Sequence, residues 1–388
     1  MFDLSSTAVL SCNGGTVTTS SEPALRLLVA TLNGVHILER GTPDQAWQSK
    51  ATALDDLHIS CILAEPRSGL VFAGAHWNGG LFVSADGGVT FAPSMEGIAR
   101  PHIYCLKAQR RDDQTILFAG TEPSALYRSD DLGQSWHDLP GIWAVPETDC
   151  WSFPPPPHVA HVKDLAWHES NPRRLFVCIE QGALLVSDDD GQTWAENRNY
   201  ADTVTDMFRH DNHRVVFRRD PAQYAMAGGE GVDVTIDDGR SWTKVMRRDD
   251  RIGYPDAMFI DPRDDATIFV AGPQAGPGMW PKWGTSNPTF MVSTDFGASW
   301  EERRNGMPED LVGNIEAMGM HHAGSALALF AGTATGEIYA TDDDGRHWTR
   351  IAHDLPAIAK NGHFRWFLSP EGREAAEEMM RECGKQYA

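Results

Sequence analysis

The sequence is poor in the features that would staple it, export it or hold it in a bilayer. Its six cysteines, Cys12, Cys61, Cys105, Cys150, Cys178 and Cys383, include no Cys-x-x-Cys pair and no tight spacing, which excludes a disulfide framework read from spacing. Cys61, Cys105 and Cys178 lie in apolar strand-like runs, where a reduced, packed thiol is expected. Met1 to Thr19 contains no Lys or Arg and no long apolar stretch, so it does not read as a secretory signal. No window approaches about 18 uninterrupted apolar residues, the length a spanning helix needs. A reducing cytoplasm is the expected compartment.

Basic charge is also short. Lys and Arg number 33 against 54 Asp and Glu, a formal net charge of −21 that repels phosphate backbones and anionic lipid heads. Nucleic acid and membrane are therefore not expected partners, whereas a small-molecule substrate is, and nothing in the pattern fixes an oligomeric state. No nucleophile elbow, P-loop or dinucleotide fingerprint appears. What is abundant is Trp, with 13, and Gly, with 36, a combination that points to an all-β repeat protein rich in tight turns.

A short turn recurs six times: at Ser84–Phe91, Ser129–Trp136, Ser187–Trp194, Thr235–Trp242, Ser293–Trp300 and Thr341–Trp348. Each copy reads Ser/Thr-x-Asp-x-Gly-x-Ser/Thr-aromatic, with His347 as the one departure, and the closing aromatics are 45, 58, 48, 58 and 48 residues apart. That spacing is the size of a propeller blade. The residue types have a physical reading: the carboxylate accepts backbone N–H groups across the hairpin, Gly supplies a positive φ, and the aromatic packs beneath the turn. The pattern resembles the Asp-box, or bacterial neuraminidase repeat. This resemblance covers nearly the whole chain and implies a β-propeller. It says little about function, because families with this repeat include sialidases, other glycosidases, sorting receptors and photosystem assembly factors.

Apolar runs such as Gly69–Gly74, Ile116–Gly120, Leu175–Ile179 and Leu327–Gly332 precede the turns, giving four strands per repeat. Leu27–Leu32 and Gly34–Leu38 supply a blade whose own turn has decayed, making seven. The expectation is one all-β domain over residues 1–388, a seven-bladed propeller of four-stranded antiparallel blades. The blades fall at 24–50 together with 363–368, 57–95, 101–140, 160–198, 202–246, 253–304 and 313–352, with an outer helix over 372–383. His363–Leu368 is expected to be the innermost strand of the first blade, closing the ring and leaving no open edge.

In a propeller the innermost strands surround a channel, so equivalent strand starts meet at one mouth. Aligning the repeats places His58, His102 and His161 together, followed by Thr203, Tyr254, Asn314 and His363. Connections on the same face add His76, Glu122, Glu180 and Glu230. Imidazoles and carboxylates converging on an enclosed mouth are the donors that borderline divalent metals take, so a divalent ion such as Zn, Mn or Fe is expected on His58, His102, His161 and His363. Glu180 and Glu122 are the expected catalytic carboxylates, with His158 as a further acid or base and Arg365 for anion binding. Arg365, Lys163 and Glu316 occupy the alternate inner position, where they serve chemistry or form a buried ion pair. Two insertions on that face, Trp143–His158 and Gly276–Gly284, bring Trp143 and Trp280 over a substrate pocket that also includes His76, Tyr254 and Glu230.

These residues suit a metal-dependent hydrolase or lyase acting on a small polar or anionic substrate. A histidine-ligated iron or copper oxidoreductase and a non-catalytic assembly module are the alternatives. A sialidase is disfavoured, since the inner strands carry His where that family carries arginines.

Overall fold

The computed structural model describes residues 1–77, 79–153, 158–200 and 210–384. Seven sheets form a propeller: five of the expected blades are four-stranded antiparallel sheets, and the first and last blades are modified by the N-terminal segment. The inner strands of blades 2 to 7 are His58–Glu65, Ile103–Arg111, His161–His168, Asn212–Phe217, Ala257–Ile260 and Ile315–Ala323. Apolar side chains from neighbouring blades interdigitate between the sheets. Phe72, Leu106, Leu117 and Trp136 form one such layer, and Phe290, Leu329, Tyr339 and Trp348 belong to another.

The six repeated turns share one bonding plan at the rim. In the second of them Ser129 Oγ lies 2.8 Å from Asp131 Oδ1 and accepts the Gly133 N–H, while Asp131 accepts the N–H and the hydroxyl of Ser135. Leu132, one residue before Gly133, and Gly133 itself both take positive φ, 58° and 80°, which closes the hairpin. Trp136 then packs beneath the turn with its Nε1 3.4 Å from Ser94 Oγ of the preceding blade.

Ring closure differs from the expected strand. Residues His363–Phe367 form a 3₁₀ turn rather than a strand, entered through Asn361 at φ 44° and the His363 N–H donated to the Lys360 carbonyl. The inner edge of the first blade is instead taken by Thr7–Leu10, fully buried and parallel to Arg26–Thr31. The chain then crosses the channel. Cys12 O accepts from Arg214 Nη2, Asn13 O accepts from Leu106 N, and Gly15 N donates to Ile62 O, so blades 2, 3 and 5 all hold the crossing segment. Gly14 is required there, because a Cβ would lie 2.2 Å from the Ile62 carbonyl. Val17–Ser20 finally pairs in parallel with Met320–Ala323, giving the last blade a fifth strand.

The fifth blade also differs. The expected inner strand beginning at Thr203 falls in 201–209, outside the described residues. Asn212–Phe217 holds the inner place, in register with Tyr224–Gly228 through a tight turn in which Gln223 N donates to Asp220 O. The terminal helix spans Pro370–Gly384, with the Gly372 N–H capped by Ser369 Oγ. No helix among the described residues is long and apolar enough to cross a membrane. The four cysteines at 12, 61, 105 and 178 are free and buried, and Cys150 is free and exposed.

Candidate functional site

Five inner strands carry a β-bulge near their start, which drops one residue out of the ladder: Ser60, Tyr104, Lys163, His213 and Glu316. Bulges re-aim side chains, and here the bulged residues join the strand starts and the ends of the second strands in one buried cluster around the channel. His161 is at its centre. Its Nδ1 is 3.1 Å from Glu122 Oε2 and its Nε2 2.8 Å from Glu180 Oε2, while Tyr104 stacks on the ring at 3.8 Å between centroids. Glu122 also meets His76 Nε2 at 3.3 Å. Glu180 reaches Lys360 Nζ at 2.8 Å, and Lys360 reaches Asp256 at 2.6 Å, which in turn takes Lys163 at 3.0 Å. His213 adds a branch, with Nε2 3.2 Å from Asp211 Oδ1 and 3.7 Å from Glu180 Oε1. The Tyr254 hydroxyl donates to Asp211 at 3.0 Å.

All of these groups except Tyr254 are at most 2% exposed and Tyr254 is 7% exposed. Taking a charge out of water costs several kcal/mol per ion, recovered only through close pairing. The protonation states reflect that pairing. Burial alone would raise Glu180, but Lys360, Lys163 and His161 hold it well below the usual carboxylate range. Burial would likewise raise Asp256, and Lys163 and Lys360 outweigh it. Lys360, which burial would neutralise, is held charged by Asp256 and Glu180. Burial opposes charge on His161 too, yet its hydrogen bonds to the Glu122 and Glu180 carboxylates, which accept from the ring, raise its pKa above the ordinary value. His58 and His102 go the other way: burial, then the neighbouring His76, pushes them down to about 3 and about 4, so both are neutral.

The structure therefore brings most of the expected residues together, in roles that differ from those expected. His58, His76 and His102 follow one another with ring centroids 5.9 and 6.3 Å apart. His58 donates from Nε2 to the Ala359 carbonyl, and His161 has both nitrogens on carboxylates. His363 is bonded to Glu316, which also accepts from Asn314 and from the Lys360 N–H. Among the described residues, the donors that meet within 4.8 Å of one another, as a metal ion requires, are Glu180, Asp211 and His213. His213 is turned toward them because its Nδ1–H is spent on the Pro255 carbonyl at 2.6 Å.

The expected open mouth at this end is roofed. Residues 355–367 lie over it, with Ala357 O accepting Leu32 N and Ile358 N donating to Thr333 O. Trp77, Phe364 and Ala376 of the terminal helix pack above. Trp280 belongs to that roof, its ring 5.2 Å from His363 and stacked on Phe367. Four other expected residues lie apart from the cluster. Trp143 is 41% exposed beneath Arg100, and Glu230 meets Arg248 at 3.7 Å on the outside. Arg365 stacks on Trp366, and His158, exposed and at φ 64°, bonds the Phe153 carbonyl. Pro154 to Pro157 of that insertion lie outside the described residues.

The open cavity is at the opposite end of the channel. It measures about 810 Å³ and is lined by the lower halves of the inner strands of blades 2 to 6 and by Gly14–Val17. Lys107 pairs with Asp164 there at 2.7 Å.

The sequence reading missed Asp211, His213, Asp256 and Lys360. Counting back across the Arg218–Gln223 turn from Tyr224–Gly228, rather than forward from the preceding blade, is the signal that would have placed Asp211 and His213. Lys360 had no such signal, since its partner Glu180 is 180 residues away.

No protein-family model matches the chain. A segment of 112 residues is 28% identical to a vacuolar protein sorting/targeting protein 10 of Verticillium alfalfae, over 27% of this chain and 7% of that protein. Among solved structures, an ancestral GH74 enzyme superposes with a TM-score of 0.57 at 14% identity, covering 75% of this chain and 38% of its own. YCF48 bound to a D1 peptide superposes with a TM-score of 0.54 at 13% identity, covering 84% of this chain and 90% of that one. The chain thus spans a small part of the sorting protein and less than half of the GH74 enzyme. What these likenesses establish is the fold, a seven-bladed β-propeller similar to those of the GH74 enzyme and YCF48.

Proposed function

We propose that the chain is a metal-dependent propeller enzyme, a hydrolase or lyase for a small polar or anionic substrate, whose divalent ion is held by Glu180, Asp211 and His213. One observation carries this reading: two carboxylates and an imidazole converge within 4.8 Å at the closed end of the channel, with the imidazole oriented by a backbone carbonyl. Such an outer hydrogen bond fixes the ring tautomer and leaves Nε2 to ligate. The cost of burying this cluster further supports chemical use, because an apolar core of equal volume would be as stable or more so. An ion there would polarise a substrate carbonyl or acidify a bound water. Lys360 shares Glu180 with the ion site, so its ammonium competes with the ion for that carboxylate.

The test is elemental analysis of tag-free protein, followed by calorimetric titration with Zn²⁺, Mn²⁺ and Fe²⁺. One equivalent of metal that falls by at least about tenfold in affinity in both D211N and H213Q is expected. Metal-free protein that binds none of the three ions overturns the reading.

A second reading, a non-catalytic binding module, is favoured by a separate observation: the open cavity is at the other end of the channel, and the YCF48 likeness covers 90% of a protein seen bound to a peptide.

A further inference from the structure

The open cavity contains a cation without a counter-ion. Arg214 follows the bulge of the fifth inner strand and is 4% exposed. One arm of its guanidinium, Nη2, donates to the Cys12 carbonyl at 3.0 Å, and its Nε, buried, has no acceptor. Among the described residues no carboxylate comes within ion-pair distance of it. Its flank is the Phe259 ring, 5.7 Å from the guanidinium carbon. A buried guanidinium is normally paired, since an orphaned buried charge costs several kcal/mol and an orphaned N–H adds to it.

The surroundings do not supply the missing anion. Asp164 is engaged by Lys107, Asp265 by Arg218 at 3.3 Å, and Asp261 by Arg263 at 2.6 Å. Glu65 accepts the backbone N–H groups of Arg67 and Ser68. The wall nevertheless carries six Arg or Lys against five Asp or Glu, while the chain as a whole carries 33 against 54. The cavity is therefore a cationic exception in a strongly acidic protein. Trp167 and Phe259 give it apolar sides, and about 810 Å³ accommodates a molecule of metabolite size.

We propose that this cavity binds a small organic anion, with a carboxylate or phosphate group seated on Arg214 and an apolar or ring portion against Trp167 and Phe259. A planar guanidinium with a free Nε matches an oxyanion by paired N–H donors, which the same charge on a lysine cannot reproduce. Cys12 O holds one arm in place. This site is at the other end of the channel from the metal cluster, and its test is independent of that chemistry.

Calorimetric titration with phenyl phosphate, benzoate, inorganic phosphate and chloride decides the matter. Phenyl phosphate or benzoate is expected to bind in the micromolar to low millimolar range, more tightly than inorganic phosphate, with chloride silent. R214M, which exchanges a buried unpaired charge for an apolar side chain of similar reach, should fold and lose at least about tenfold in affinity, and R214K should lose nearly as much. R346M, on an exposed rim turn, should bind as the wild type does. Three results would overturn the proposal: no binding of either organic anion at about 10 mM, equal affinity for all four anions, or undiminished binding by R214M or R214K.

Discussion

The rim and the axis of this propeller use polar residues in opposite ways. At the rim the same turn is built six times on one plan, each Asp exposed or half-buried and hydrogen-bonded within its own loop. At the axis no two bulged residues agree: Ser60, Tyr104, Lys163, His213 and Glu316 stand at equivalent places with different chemistry. Several of their partners come from other blades, as Ser60 reaches the Ile103 carbonyl, Lys163 reaches Asp256 and His213 reaches the Pro255 carbonyl. Repetition at the rim specifies a shape, and divergence at the axis specifies what the shape holds.

If that contrast is real, single substitutions should have far larger effects at the axis. Lys360 is the severest case, because it is fully buried and bonds two carboxylates from different blades. K360M leaves Glu180 and Asp256, both buried, with less compensation. Loss of one partner from a buried ion pair costs about 3–5 kcal/mol. Urea unfolding should register that loss as a shift of midpoint without change of slope. A cost below about 1 kcal/mol would mean that the cluster is hydrated and that rim and axis do not differ in kind.

The next effect is on pH dependence, and its sign follows from the directions of the shifts. His58 and His102 fold with pKa values near 3 and 4, below the ordinary 6.5, so the unfolded chain binds more protons than the folded one between those limits. Stability therefore rises with pH across that window and is lost as pH falls from about 6.5, by at most about 1.4 kcal/mol per pH unit for each histidine. His161 has the opposite shift, so it is charged in both states below 6.5 and drops out of this limb. Denaturant titrations from pH 6.5 to 4.5 should show the slope, to which His36 and His321 add in the same direction, and H58Q should reduce it. An unchanged slope in H58Q would place the acid sensitivity elsewhere.

The same contrast explains what could be read from the sequence. The rim turns were legible because every bond in them closes within four residues: Asp131 reaches only as far as Ser135. The blade count followed from that period. The closing strand was misread because Thr7–Leu10 pairs in parallel with residues nineteen positions on, while His363–Phe367 has strand-like composition and turns back on Lys360. His213 and Asp211 were hidden by an error of register within the fifth blade, whose inner strand is Asn212–Phe217, and the two-nitrogen pairing of His161 is a contact between side chains that no spacing encodes. Local bonding leaves a sequence trace, and bonding across the channel does not.

The smallest effect isolates a single rim bond. In five turns a hydroxyl, such as Ser299 Oγ or Thr193 Oγ1, donates to the second carboxylate oxygen of the Asp at 2.6 Å. The sixth turn has His347 at that place, its ring 4.0 Å from Asp343 Oδ2 and 73% exposed, so the backbone bond remains and the side-chain bond is missing. H347S restores the hydroxyl and removes little packing, at the loss of the exposed 3.1 Å contact between His347 Nε2 and Asn305 Nδ2. A solvent-exposed bond of this kind contributes about 0.5 kcal/mol, or about 1 °C in Tm for a domain of this size, readable by scanning calorimetry. A gain of that order, beside a loss several times larger for K360M, would give the energetic ratio between the two regions. A fall in Tm would instead show that His347 contributes to its turn by some route other than the repeated bond, and that the rim is less uniform than its spacing suggests.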